Sequence, residues 1–333
     1  MMIGHEILCG ISREGENNEK QRMCLPCAKT RNSPWGNASD KQAEVPSMPN
    51  IGLILSGGMA KGAYQIGALE AVAEYLRPEE VKYISSASVG VVNSYAFACD
   101  RLDAAKEMWL SLNDQKKKLF ITSIYKNNVL KETIKHIGTE PPACRHFYAP
   151  ILHLKKGDLI YWDIGKEEDP IRRGRLLRAA ISFPPFAAPV ELDGNNYYDG
   201  AMVDNIPVKP LMRHSLDYVI CMYFDKYNYA FESDYFDNKI VKLNFDDATT
   251  LLSESLWMTK DSISDMMQRG YKKAKSVLDF VFQGGTENVE KVYERIEMMN
   301  ALQPEKKTRL TGDVVMNNFN KLAKRFARRT IIK

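Results

Sequence analysis

Long apolar runs are missing from this sequence. A membrane-spanning helix needs roughly 20 consecutive apolar residues. The longest candidates here, such as Tyr218 to Phe224 (YVICMYF), have only the length of a buried strand. The N-terminal stretch MMIGHEILCGISREGENNEK has no basic start followed by a continuous apolar core, so no secretory signal is expected. Charge of one sign is not in excess either. Lys and Arg number 46 against 42 Asp and Glu, a formal net charge of +4. This alone makes no case for nucleic acid, which calls for a clustered basic face. Cysteine is sparse: Cys9, Cys24, Cys27, Cys99, Cys144 and Cys221 are spread along 333 residues, which is no disulfide scaffold. A reducing, cytoplasmic setting is the expectation. Cys24-x-x-Cys27 is the only pair at metal or redox spacing. A structural zinc site needs four ligands, and only Cys9 and His5 lie nearby. Incidental thiols in a tail are therefore expected there, and no metal.

What is present is the composition of a globular protein, 44% hydrophobic and 26% charged, with length enough for one large domain or two small ones. Residues 1–49 are polar, rich in Asn, Ser and Pro, and without periodicity, so they read as a disordered or loosely ordered N-terminal tail. From residue 50 the pattern changes. Ile51 to Leu55 is a short apolar run ending in glycines, the mark of a buried parallel strand. In KGAYQIGALEAVAEYL, Ile66, Leu69, Val72, Ala73 and Leu76 fall at helical spacing, and Pro78 stops the helix. VKYISSAS reads as a second strand and VGVVNSYAFAC as a helix apolar nearly all round, hence buried.

Strand, glycine loop, helix, strand, tight turn, helix is an α/β order. It predicts a parallel sheet with right-handed crossovers. Further on, residues 101–150 read as mainly helical and polar, with Lys116-Lys117-Lys118 as a solvated face. ILHLKKGDLIYWDIG predicts a hairpin, RGRLLRAAISF a short helix, and PVELDGNNYYDGA two strands around an Asp-Gly turn. LDYVICMYF is a buried strand. From Thr249 the chain reads as helical and increasingly basic.

Three stretches bear chemistry. Gly57-Gly58-Met59-Ala60-Lys61-Gly62 lies between a strand and a helix, where outward-facing N–H groups and a helix N-terminus can hold an anion. It is neither a P-loop, since Gly62-Ala63 follows Lys61, nor a dinucleotide fingerprint. A plain strand-to-helix turn is the alternative. Ser86-Ala87-Ser88-Val89-Gly90 has the form of a nucleophile elbow, a serine on a sharp strand-to-helix turn. Such a turn needs small residues two before and two after. Gly90 meets that condition outright, and Ser86 adds one heavy atom beyond a methyl. Asp199-Gly200-Ala201 is a turn dipeptide whose carboxylate could also serve as a base. A serine nucleophile needs such a base. The five histidines, His5, His136, His146, His153 and His214, all lack a motif-like context.

Taken together, the three stretches resemble the patatin-like phospholipase family, with its glycine-rich loop, its elbow serine and its downstream D-G-G/A dipeptide. GAYQIGALEAV is similar to the family's helix after the loop. LRAAISFPPFAAPVELDGNNYYDGAMVDNIPV is similar to its approach to the aspartate, including Asn205-x-Pro207. The likeness covers roughly residues 50–225. It implies an α/β, three-layer patatin-like fold with a mostly parallel central sheet and helices on both faces. It also implies a Ser-Asp dyad without histidine: Ser88 attacks an acyl ester and Asp199 takes its proton. Gly57, Gly58 and Met59 would supply an oxyanion hole, steadied by Lys61. Ser86, Gly90 and Gly200 would support the motifs. No cofactor and no metal is implied. The substrate implied is the ester-linked fatty acid of a glycerophospholipid. A hydrolase or acyltransferase for neutral glycerides, or a catalytically silent lipid-binding relative, remain the alternatives. Met59 and Ser86 depart from the family's glycines. A Met N–H can still donate there if the backbone needs no positive φ.

Residues 226–333 read as a C-terminal helical extension. Toward its end Lys321, Lys324, Arg325, Arg328 and Arg329 accompany Val315, Phe319, Leu322 and Phe326 at helical spacing. Such a basic amphipathic helix either lies on an anionic membrane surface or packs on the domain. The expected partners are thus an acyl-ester lipid and a peripheral membrane surface, with nucleic acid a distant third.

Overall fold

A computed structural model describes residues 48–112, 128–184, 186–224, 238–245, 259–302 and 329–333. The N-terminal tail with Cys24 and Cys27, the Lys116–Lys118 run and the stretch from Val315 to Phe326 lie outside the described residues.

The apolar run Ile51–Leu55 becomes β1, with all five residues buried. It pairs parallel with β2 (Val81–Ser86) on one side and β7 (Tyr218–Tyr223) on the other. β8 (Ile240–Asn244) extends the parallel array beyond β7. β3 (His146–His153) joins β2 in parallel and then turns to antiparallel partners. These are β4 (Asp158–Asp163), its hairpin mate, and β6 (Asn195–Asp199), itself paired with β5 (Val190–Leu192). Both predicted hairpins form. In the β5–β6 turn Asp193 and Gly194 both take positive φ (+52° and +71°), as a tight Asp-Gly hairpin turn requires.

The helices are α1 (Gly62–Ala73), α2 (Val89–Ala98), α3 (Leu102–Ser111), α4 (Asn128–Ile137), α5 (Pro170–Ala179), α6 (Lys260–Val281) and α7 (Val289–Leu302). Side chains alternate across a strand. Ile51, Leu53 and Leu55 therefore share the main core with the helices, while Ile54 faces the other way. On that second face Ile54, Val219 and Cys221 pack under Ile206, Leu211 and Leu216, from the segment that joins β6 to β7. The mostly parallel central sheet with helices packed on it is the α/β architecture expected. α1 and α6 cross at glycines. A Cβ on Gly67 would lie 1.8 Å from the Met267 carbonyl oxygen, and one on Gly270 would lie 2.1 Å from that of Tyr64. Only hydrogen at both positions lets the backbones meet.

Two features were not expected. β8 went unread because its residues IVKLN carry a Lys and an Asn within a short segment. The last residues, read as part of a helical extension, instead form a strand, β9 (Arg329–Ile332), parallel to β4. Its pairing continues through the N–H of Lys333 to Tyr161 O at 3.0 Å and the N–H of Asp163 to Lys333 O at 2.9 Å. An open strand edge takes a further strand readily, and Thr330, Ile331 and Ile332 suit one. Among the described residues no helix is long and apolar enough to cross a membrane.

Candidate active site

β1 and β2 lie parallel, so their C-terminal ends open on the same rim of the sheet, where ligands bind in α/β proteins. Ser56 to Lys61 leave β1 there, and Ala87 and Ser88 leave β2. Ser88 sits at the N-cap of α2 with φ +52° and ψ −133°, a region that non-glycine residues enter only under strain. Its hydroxyl makes no capping hydrogen bond. The side chain is partly exposed at the positive end of α2.

The turn is tight because α2 starts directly on β1. A Cβ on Gly90 would meet the Ser56 carbonyl oxygen at 2.7 Å and that of Leu55 at 2.9 Å. Ser86 lies wholly buried beneath, its hydroxyl 2.8 Å from that of Ser94, which also reaches the Gly90 carbonyl at 2.8 Å. Ser86 therefore braces the base of the turn and lines no substrate space.

Asp199 ends β6 and is completely buried. Its Oδ1 accepts the N–H of Ala201 at 2.8 Å. Burial pushes the carboxyl up to about 7, while the Ala201 N–H and then the Ser88 hydroxyl pull it down. Among the described residues Oδ2 makes no hydrogen bond, and the Ser88 hydroxyl bears on this carboxyl only as an influence that lowers its pKa. Such contacts often tighten only when substrate is bound. Gly200 follows because β3 leaves no room: a Cβ there would lie 2.5 Å from the carbonyl carbon of Pro150.

The glycine loop touches the elbow at two points. A Cβ on Gly57 would lie 2.8 Å from the Ser88 Cβ, and one on Gly62 would lie 2.9 Å from Val89 Cγ1. The N–H of Gly57, expected as an oxyanion donor, is already committed to the carbonyl of Asn205 at 3.3 Å. Among the described residues the N–H groups of Gly58, Met59 and Val89 make no such bond. The available donor set thus moves one residue along the loop and gains Val89 at the start of α2. Met59 takes φ +48°, so the backbone does demand the left-handed region; against the expectation, this strains the residue but does not remove its N–H, which stays unbonded, and its side chain is exposed. The Lys61 N–H closes the loop onto Gly58 O at 3.0 Å, and its Nζ lies 5.9 Å from the centre of the Phe224 ring.

Three of the described histidines have other partners. His146 pairs with Asp163 at 2.6 Å, His214 with the Tyr148 hydroxyl at 3.0 Å, and His153 accepts the N–H of Lys156 at 3.2 Å. Sequence reasoning passed over Gln65, Asn93 and Trp109, a buried polar set behind the glycine loop. The available signal was two amides inside helices otherwise almost wholly apolar.

Residues 53–212 match the profile of the family described as patatin-like phospholipase. This segment is a patatin-like domain. The match runs from β1 to the connection before β7 and includes the loop, the elbow, Asp199 and Asn205. Uncharacterized NTE family proteins of Mycobacterium tuberculosis and Mycobacterium bovis are 26% identical over 182 residues, 53% of this chain and 49% of theirs. The chain therefore spans about half the length of the curated relatives it matches. Among solved structures, VipD from Legionella pneumophila is similar at 11% identity, covering 70% of this chain and 67% of its own, with a TM-score of 0.43. ExoU of Pseudomonas aeruginosa, in complex with SpcU, is similar at 14% identity, over 81% of this chain and 61% of its own, with a TM-score of 0.39.

Proposed function

We propose that the patatin-like domain is a serine esterase that releases ester-linked fatty acids from glycerophospholipids through Ser88 and Asp199. The observation that carries this reading is a wholly buried carboxyl, raised to about 7, acting on a serine hydroxyl held at a strained elbow. An ordinary carboxylate, near pKa ~4, is a poor base for a hydroxyl. One desolvated to near neutrality is much better matched to the task.

In the proposed cycle Asp199 takes the Ser88 proton as Oγ attacks the ester carbonyl. The negative oxygen that forms is met by the N–H groups of Gly58 and Met59 and by the start of α2. Collapse expels the lysolipid alcohol, which receives the proton from Asp199 and leaves an acyl-serine. Asp199 then draws a proton from water, the hydroxide attacks the acyl carbonyl, and collapse releases the fatty acid while Asp199 returns the proton to Ser88 Oγ. Each lost oxyanion donor in such sites costs about 10²–10³ in rate.

The test is product analysis on a mixed-lipid extract, wild type beside Ser88→Ala, with labelling by a fluorophosphonate. The reading expects fatty acid and lysophospholipid from wild type alone, and label on Ser88. Faster release from neutral glycerides would move the substrate class while keeping the dyad. Absence of both label and product would favour a silent lipid-binding domain.

A further inference from the structure

Behind the glycine loop runs a continuous buried chain of hydrogen bonds. Gln65 Nε2 donates to the Ser56 carbonyl at 2.7 Å. Asn93 Nδ2 donates to Gln65 Oε1 at 2.9 Å and to the Gly62 carbonyl at 3.0 Å. Trp109 Nε1 donates to Asn93 Oδ1 at 2.9 Å. All three side chains are completely buried. Ser56 and Gly62 are the two ends of the glycine loop, and Asn93 stands on α2, whose first turn carries Ser88. Gln65 is on α1 and Trp109 on α3. These segments are thus joined through two amides, Asn93 and Gln65.

Position for position, this arrangement is an expensive way to build a core. Buried amides cost free energy unless fully paired, and an apolar residue of similar shape would fill the same space. Asn93 uses both ends of its amide: Nδ2 reaches the Gly62 backbone and the Gln65 side chain, itself bonded to Ser56, while Oδ1 accepts from Trp109 on α3. Helical packing alone does not require that.

We propose that Asn93, acting through Gln65, is a positioning residue that fixes the glycine loop relative to Ser88. It touches no reacting atom. It holds both hinges of the loop to the helix that presents the nucleophile, so that the Gly58 and Met59 N–H groups keep their place as charge develops. This inference rests on the esterase reading for its kinetic consequence, but its structural content stands apart from it.

The experiment uses the full chain with Asn93→Asp, Gln65→Met and the double variant, measured in two ways. The first is hydrolysis of a soluble ester, with Ser88→Ala as the blank. The second is the amide spectrum of ¹⁵N-glycine-labelled protein, which reads the loop without any turnover. A misplacement of this kind lowers turnover by about 10-fold to 10²-fold. The expected result is that loss in kcat, with KM within about twofold and the double variant no worse than the worse single one, as for residues acting as a unit. The amide signals of Gly57, Gly58 and Gly62 should move while those of Gly157 and Gly194, in distant hairpin turns, stay. Should Asn93→Asp not fold, Gln65→Met alone carries both measurements. Unmoved loop signals overturn the inference, as do losses that add in the double variant or fall on KM alone. Should wild type show no Ser88-dependent hydrolysis, the esterase reading fails, and the glycine signals alone decide the brace.

Discussion

Gly57 and Asn205 are joined in both directions: the Gly57 N–H donates to the Asn205 carbonyl at 3.3 Å, and the Asn205 side-chain Nδ2 donates to the Gly57 carbonyl at 3.1 Å. The pairing ties the glycine loop to the segment that follows Asp199. There is no room in it for a methyl group. A Cβ on Gly57 would lie 2.5 Å from Asn205 Oδ1 and 2.8 Å from the Ser88 Cβ. Gly57→Ala must therefore displace either the amide or the nucleophile. The expected outcome is a loss of turnover of at least ~10²-fold, the scale of a 1 Å misplacement, with a folded protein by circular dichroism.

The raised carboxyl sets a pH profile. Asp199 must be ionised to accept the Ser88 proton, and burial holds its carboxyl at about 7. The kcat/KM for a soluble ester should rise with pH through that region and level off above it. A profile already flat from pH 5 upward would show that another group limits the reaction.

The same carboxyl should weaken the fold at high pH. Its folded pKa, about 7, lies above the ordinary aspartate value, so the folded state binds the proton more tightly than the unfolded state. The stability this gives is complete below the ordinary value and is lost as pH rises through about 7. Asp199→Asn removes the buried charge and keeps the shape. The variant should be more stable than wild type by about 2–4 kcal/mol at pH 8.5 and nearly equal at pH 4, by urea titration. It should also be inactive.

Met59 occupies a left-handed position, φ +48°, without the freedom of glycine. Such a conformation costs a non-glycine residue of order 1 kcal/mol or more. Met59→Gly should therefore not destabilise the protein and should gain up to ~1 kcal/mol, less what glycine loses in chain entropy. Met59→Val, with a branched Cβ, should lose more than ~1 kcal/mol, since branched side chains tolerate this region worst. Thermal melts of the two variants give the comparison.

Much of this arrangement was legible beforehand, for physical reasons. β1 and β7 are continuous apolar runs because parallel strands are buried on both faces. The elbow was legible at Gly90, where two carbonyls leave no space for a Cβ. Ser86 was read for size alone. Its pairing with Ser94 depends on the helical turn above it, which spacing does not display. The engaged Gly57 N–H was hidden for a similar reason: its partner, Asn205, arrives from 148 positions away. The polar brace of Gln65, Asn93 and Trp109 passed unread because periodicity weighs apolar positions and treats a lone amide as noise. β9 was misassigned because four residues are too few to show any period.

The central claim is that Ser88 and Asp199 together cleave an acyl ester. Fatty acid released from phospholipid vesicles by wild type, Ser88→Ala and Asp199→Asn tests it most directly. The account predicts that either substitution alone lowers release by at least ~10³-fold, close to what both together remove, because the two act as one unit. Release by Ser88→Ala or by Asp199→Asn at the wild-type rate would contradict it.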